Sequence, residues 1–499
     1  MKRLPVLLPL VLALNAAGAA AAGLAEVDPA VRSAAARNAV ADVLIVLADQ
    51  RRPSLVPLSA EAGSRERRRA LVDALRARAD AQQADLRAWL DARGIAHRDY
   101  WIVNAIQARV TATDLAALAS RDGIARIAAN PEIALRLPPQ PVSPDAVDET
   151  TAIEWGVAKI RAPEVWAAGF TGQGVVIGGQ DTGYQWDHPA LKSHYRGWDG
   201  VTADHDRNWH DAIHDPATGS CHEDSPAPCD DHGHGTHTAG TFAGDDGGSN
   251  RIGVAPGAKW IGCRNMNYDA GTPARYIECM QWFLAPTDLA GNDPDPDLAP
   301  DIISNSWGCD ASEGCTTGNE LVAAVDTLVD AGIFFAVAAA NHGSGCSTII
   351  DEPAIFDASF VVASTDSSDG VSGFSSRGPL AGTALVRPDV TAPGSNVRSS
   401  VPGNGYGLNS GTSMATPHVA GAAALLMSIN PALKGHPQRV AALLRDTAVR
   451  SGITDPSRPG GCGGRTTADW PNYQAGYGRI DVQAAMRAAD TIFEDGFDG

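Results

Sequence analysis

In the stretch DDHGHGTHTAG, residues 230–240, three histidines stand within six residues, framed by two aspartates and three glycines. His232, His234 and His237 could cradle a metal, or one imidazole could carry protons. A zinc peptidase would show H-E-x-x-H, and His222, followed by Glu223, has no histidine at that offset. Proton work needs partners instead. A serine hydroxyl is a poor nucleophile until an imidazole takes its proton, and the imidazole needs a carboxylate to fix its tautomer and balance its charge. Asp181 in QDTG and Ser413 in GTSMATPHVAG supply those groups. The oxyanion that forms needs donors, which the Asn341 amide in AANHG and the backbone N–H of Ser413 can provide.

Such groups act only if the fold brings them to one place. GVVIGGQD (174–181), KWIGCRNM (259–266), DIISNSWG (301–308), GIFFAVAAAN (332–341) and SFVVAST (359–365) are continuous rather than alternating in hydrophobicity, as strands covered on both faces should be. Helical segments are expected between and after them, at 273–284, 319–330, 413–429 and 438–449. This alternation predicts an α/β fold with a doubly wound parallel sheet. Sites in such sheets gather at the C-terminal strand ends, where Asp181, Asn305 and Asn341 fall. His234 and Ser413 each follow a glycine-marked turn and open a helix, at its positive end.

Taken in order, QDTG, HGTHTAG, AANHG and GTSMATPHVAG resemble the active-site motifs of the subtilisin-like serine proteases, and Asp-His-Ser is that family's order. SNSWGC, GAKWIGCRNM and RPDVTAPGSNVRS resemble its bacillopeptidase F-like branch. The resemblance covers about residues 155–489, closing with YGRIDVQAAM. It implies a subtilisin-like sheet of about seven strands and endopeptidase action on proteins or peptides through an acyl-enzyme, with no catalytic cofactor. Asp181, His234 and Ser413 would form the triad and Asn341 the oxyanion site. Ser306, Trp307 and Gly308 would line the substrate strip, with Ala339 and Ala340 beside it. The family usually has Gly where this chain has Ala340, so a methyl group is expected to reshape the pocket floor. Asp351 and Glu352 fall near the primary pocket, and a carboxylate turned inward there would favour a basic side chain. Structural calcium is a further expectation, in the insertion between Asp181 and His234 or in DDGGSN (245–250). Neither has EF-hand spacing, so the metal ligands stay unassigned.

The first 22 residues read as a secretory leader, with Lys2 and Arg3, an apolar run from Leu4 to Leu14, and Ala20–Ala22 at a cleavage site. An extracellular or periplasmic protein follows. Its eight cysteines include no C-x-x-C pair and are expected as disulfides; Cys221/Cys229 and Cys309/Cys315 could each staple a loop, although spacing alone leaves the connectivity open. Residues 23–136 should form a small α+β, ferredoxin-like domain, with strands at 41–49, 100–112 and near 124–135, and helices at 65–93 and after a cap at Thr113 or Asp114. The resemblance implies that it is an inhibitory propeptide. Residues 137–150, rich in Pro and acidic side chains, look like a cleavable linker; 151–489 form the catalytic domain and 490–499 an acidic tail. Residues 24–140 carry a net charge of +3 and residues 141–499 a net of -24, which gives the two parts complementary charge. So acidic a body excludes nucleic acid and anionic membranes as partners, and a monomer is expected.

Overall fold

The computed structural model describes residues 24–38, 40–50, 63–140, 153–315 and 319–494. The expected leader lies outside them, as do most of the expected linker and the end of the expected tail.

The apolar runs form the sheet they predict. Seven parallel strands lie in the order Val390–Pro393, Phe360–Thr365, Phe334–Ala338, Ile302–Asn305, Val176–Asp181, Lys259–Arg264, Trp209–Asp211. Alternate side chains serve opposite faces. Ile303, Phe335 and Val337 pack with Ile277, Met280 and Phe283 of the helix Pro273–Leu284. Ile302, Phe334 and Ala336 pack with Ala415, Val419 and Leu426 of the helix Thr412–Ile429. That helix is covered almost all round, which accounts for its run of Ala, Val and Leu.

Strand order reverses about Val176–Asp181, which lies between strands that come later in the chain on both sides. This is the switch point of a doubly wound sheet, and the strand ends in Asp181. Trp209–Asp211, Val390–Pro393 and a hairpin of Val397–Val401 with Gly405–Asn409 were not foreseen as strands. All eight cysteines pair: Cys221–Cys229, Cys263–Cys279, Cys309–Cys315 and Cys346–Cys462.

In the N-terminal part, five strands in the order Glu26–Val27, Ile124–Ala129, Val40–Leu47, Ala105–Thr111, His97–Tyr100 carry the helices Ser64–Asp91 and Ala112–Ala119. The cap of the second helix is Thr111, with Asp114 completing a capping box, rather than Thr113 or Asp114. The run expected as one strand over 100–112 is two, because residues 101–104 turn, with Asn104 at φ 42°. The apolar side chains of that turn serve a different surface. Ile102 and Val103 join one continuous cluster with Trp282, Phe283 and Met280 of the large domain. The N–H groups of Trp101 and Ile102 donate to Gln281 Oε1 at 2.6 and 3.1 Å. Charge follows the same division: Arg69 pairs with Asp297, and Arg68 donates to the Ala331 carbonyl.

Candidate active site

His234 is the first residue of the helix His234–Ala243, and its position depends on the turn before it. Gly233 has φ 97°, a left-handed conformation that favours glycine. A Cβ on Gly235 would lie 2.0 Å from the Gly183 carbonyl, so only glycine lets this helix approach the Asp181 strand end so closely. Asp230 holds the turn together. Its carboxylate accepts from the N–H of Gly233 at 2.8 Å and of Thr236 at 2.9 Å, and from the hydroxyl of Thr182 at 3.0 Å. Burial pushes the Asp230 carboxyl above its ordinary pKa, opposed by the hydrogen bonds from Thr236 and Gly233. Sequence reasoning missed this residue; its signal was an Asp three residues before the glycine that precedes the helix.

His234 Nδ1 lies 2.7 Å from Asp181 Oδ1, and both side chains are buried. A carboxylate accepts here, so Nδ1 is the donor, which in the neutral imidazole leaves the lone pair on Nε2. Nε2 is buried and has no hydrogen-bond partner among the described residues. The Thr182 N–H also donates to Asp181 Oδ1, at 2.7 Å. Ser413 sits in the first turn of its helix, and its hydroxyl donates to the Ser306 carbonyl at 3.0 Å. Ser306 returns a hydrogen bond to the Ser413 carbonyl at 3.1 Å. Asn341 Oδ1 accepts from the Thr412 N–H at 3.0 Å, which aims the Asn341 NH2 into the cleft.

Among the described residues, His232 and His237 join no cluster of metal-ligating side chains. His237 Nε2 lies 3.0 Å from the Val397 carbonyl, and burial lowers its pKa to about 3. Among the described residues, the ligand atoms close enough to share an ion belong to Asp310, His342 and Asp351. Neither segment expected to hold calcium forms such a group. In DDGGSN, Asp246 accepts from Gly248 and Asn250 N–H groups, closing a turn on itself. A set containing an imidazole is also a poor match to the all-oxygen shell of calcium.

The cleft is lined by Ser306, Trp307, Gly308, Ala340, Asn341 and Ser413. Trp307 is largely committed to packing, its ring stacked on Tyr276 at 3.6 Å. Ala340 adopts φ 73° at the cleft, while Ala339 is fully buried in the core. Asp351 lines the cleft and holds His342 at 2.6 Å; Glu352 is buried and its backbone exchanges hydrogen bonds with Cys309.

The cleft is filled by the chain's own residues 133–140. Ile133–Ala134 pairs antiparallel with Ala270–Gly271, and the Leu135 N–H donates to the Asp269 carbonyl at 2.7 Å. The Arg136 carbonyl accepts from Asn341 Nδ2 at 3.1 Å. Gln140 then exchanges hydrogen bonds with the backbone of Ser410, 3.1 and 2.8 Å long. Ala270–Gly271 was not recognised in the sequence as a pairing edge.

A seven-stranded parallel sheet with acidic, imidazole, amide and hydroxyl groups at one end defines the class of α/β proteins built like subtilisin. Residues 172–478 match the Subtilase family, and the chain belongs to it. It is 38% identical over 351 residues to bacillopeptidase F of Bacillus subtilis (strain 168), covering 69% of this chain and 22% of that protein. It is 32% identical over 282 residues to subtilisin E of the same strain, covering 56% of this chain and 62% of that protein. With the major intracellular serine protease of that strain it shares 32% identity over 289 residues, 58% of this chain and 79% of the relative. The chain thus spans about a fifth of bacillopeptidase F and three fifths of subtilisin E. No helix among the described residues is long and apolar enough to cross a membrane.

Proposed function

We propose that the chain is a secreted serine endopeptidase, made as a precursor that its own N-terminal domain inhibits. Ser413 is the nucleophile, His234 the base and then the acid, and Asp181 the group that fixes the imidazole tautomer and balances its charge. Asn341 and the Ser413 N–H hold the oxyanion. The observation that carries this reading is the Arg136 carbonyl on the Asn341 amide, a peptide bond presented where a substrate's would be. The pair of His234 and Asp181, with Nε2 left over, supports it.

Ser413 would turn its hydroxyl from the Ser306 carbonyl to His234 Nε2, give up its proton and attack the carbonyl carbon of a bound peptide. The imidazolium then protonates the departing amine. Water, deprotonated by the same imidazole, releases the acyl group and restores the serine. No metal or cofactor enters these steps.

The propeptide reading extends to residues 23–136, preceded by a removable leader of residues 1–22. A shared apolar surface and arginine contacts would hold the domain in place, and residues 133–136 would block the cleft. Processing then breaks the Arg136–Leu137 bond, where the expected linker begins. Expressing the full chain and its Ser413→Ala variant tests the whole reading: the wild type should mature and hydrolyse an unfolded protein, and the variant should remain full length and inactive. A Ser413→Ala protein that matures and hydrolyses would rule it out.

A further inference from the structure

We infer that Asp310 and Glu313, on the loop closed by Cys309–Cys315, form an acidic fork that selects arginine on the amino side of the cleaved bond; this rests on the protease reading above. The Arg136 carbonyl marks that position, because Asn341 donates to it. Its side chain runs to the loop: Nε lies 2.8 Å from Glu313 Oε1 and one terminal nitrogen 3.8 Å from Asp310 Oδ2.

The loop's own N–H groups hold the fork. Asp310 Oδ1 accepts from the Ser312 N–H at 2.6 Å and the Glu313 N–H at 3.2 Å, while Glu313 Oε2 accepts from the Asp310 N–H at 3.1 Å. One oxygen of each carboxylate is therefore tied to the loop, and the other faces Arg136. Burial alone would raise the Asp310 carboxyl, but the hydrogen bonds from Ser312 and Glu313 and the charge of Arg136 hold it below the ordinary range. The two side chains are 6% and 12% exposed, whereas that of Arg136 is 53% exposed, so the ligand lies at the rim of a fixed receptor. The loop is fixed at its root as well: Cys309 exchanges hydrogen bonds of 2.9 and 2.8 Å with Glu352, and the disulfide closes it six residues later.

Asp351, the nearby carboxylate that the sequence singles out, is engaged elsewhere. Its partner is His342, at 2.6 Å, whose pKa it raises. Two carboxylates aimed at one planar guanidinium favour Arg over Lys, whose single ammonium matches only one of them well. Ile133, three residues before Arg136, is buried among Tyr276, Ala274 and Ile277, so an aliphatic side chain belongs there.

The test uses the full-length chain after it has processed itself, with active sites counted by fluorophosphonate. Fluorogenic amides of Ile-Ala-Leu-Arg and Ile-Ala-Leu-Leu are compared on the wild type and on Asp310→Asn/Glu313→Gln, which keeps the loop's acceptors. Wild type should prefer the Arg peptide in kcat/KM by about tenfold or more, and the double variant should lose most of that ratio, as expected for charge-assisted hydrogen bonds at a partly exposed site. A labelled wild type that cleaves both peptides equally overturns the fork and leaves the protease reading standing. So does a labelled variant with the ratio intact. If the variant does not fold, the wild-type ratio alone decides. If the wild type neither labels nor cleaves, both readings fall together.

Discussion

Asn341 donates its side-chain amide to the carbonyl oxygen of Arg136 at 3.1 Å, across 205 residues of sequence. On the proposed reading, the chain thereby presents one of its own peptide bonds at the oxyanion site. Replacing Asn341 by Ala should lower kcat by about 100- to 1000-fold with little change in KM, the size found for removing such a donor in a subtilisin. Steady-state kinetics on one peptide amide would check the split.

The same contact fixes where maturation should occur. Terminal sequencing of the processed protein should read Leu-Pro-Pro-Gln, starting at Leu137. A terminus beyond Gln140 as the first product would mean that the contacts at Asn341 and Ser410 do not mark the cut.

On the proposed reading, Asp230 positions the base by holding the turn before His234. Asp230→Ala would leave the N–H groups of Gly233 and Thr236 without their acceptor, at a cost of about 1–3 kcal/mol for each group that stays unsatisfied. Denaturant melts of the Ser413→Ala background should show that loss. In the active background kcat should fall more than KM rises, and Asp230→Asn, which keeps one acceptor, should be milder in both.

Acid should destabilise the fold before most carboxylates titrate. Burial lowers the pKa of His237 to about 3 and that of His418 to about 4, against 6.5 when unfolded. Below pH 6.5 the unfolded chain takes up these protons and the folded chain does not, so stability falls as pH falls. Each histidine contributes a slope of up to about 1.4 kcal/mol per pH unit down to its folded value. Thermal melts of Ser413→Ala protein between pH 7 and 5 should show the decline, and His418→Leu should make it shallower; a flat profile would contradict it.

The sequence revealed what repeats locally. Ile302–Asn305 and Phe334–Ala338 read as strands because both faces are buried and every residue except the terminal Asn305 is apolar or small. Asp181, His234, Asn341 and Ser413 stood out because each is set in a glycine-marked turn at the end of a strand or start of a helix. What stayed hidden depends on distant contacts. Trp209–Asp211 is short and polar, and becomes a strand only against Gly262–Arg264. Residues 101–103 are apolar because they dock on the large domain, which mimics a strand. Asp230, Asp310 and Glu313 look like ordinary solvated acids until the turn at His234 and the side chain of Arg136 are brought against them.

The central claim is that Ser413 is the nucleophile activated by His234. Its most direct measurement is fluorophosphonate labelling of the processed protein, with the modified residue located by mass spectrometry. We predict a single adduct on Ser413, accompanied by complete loss of peptide hydrolysis, whereas His234→Ala should remain full length and unlabelled. Hydrolysis that survives full labelling, or an adduct on another residue, would contradict it.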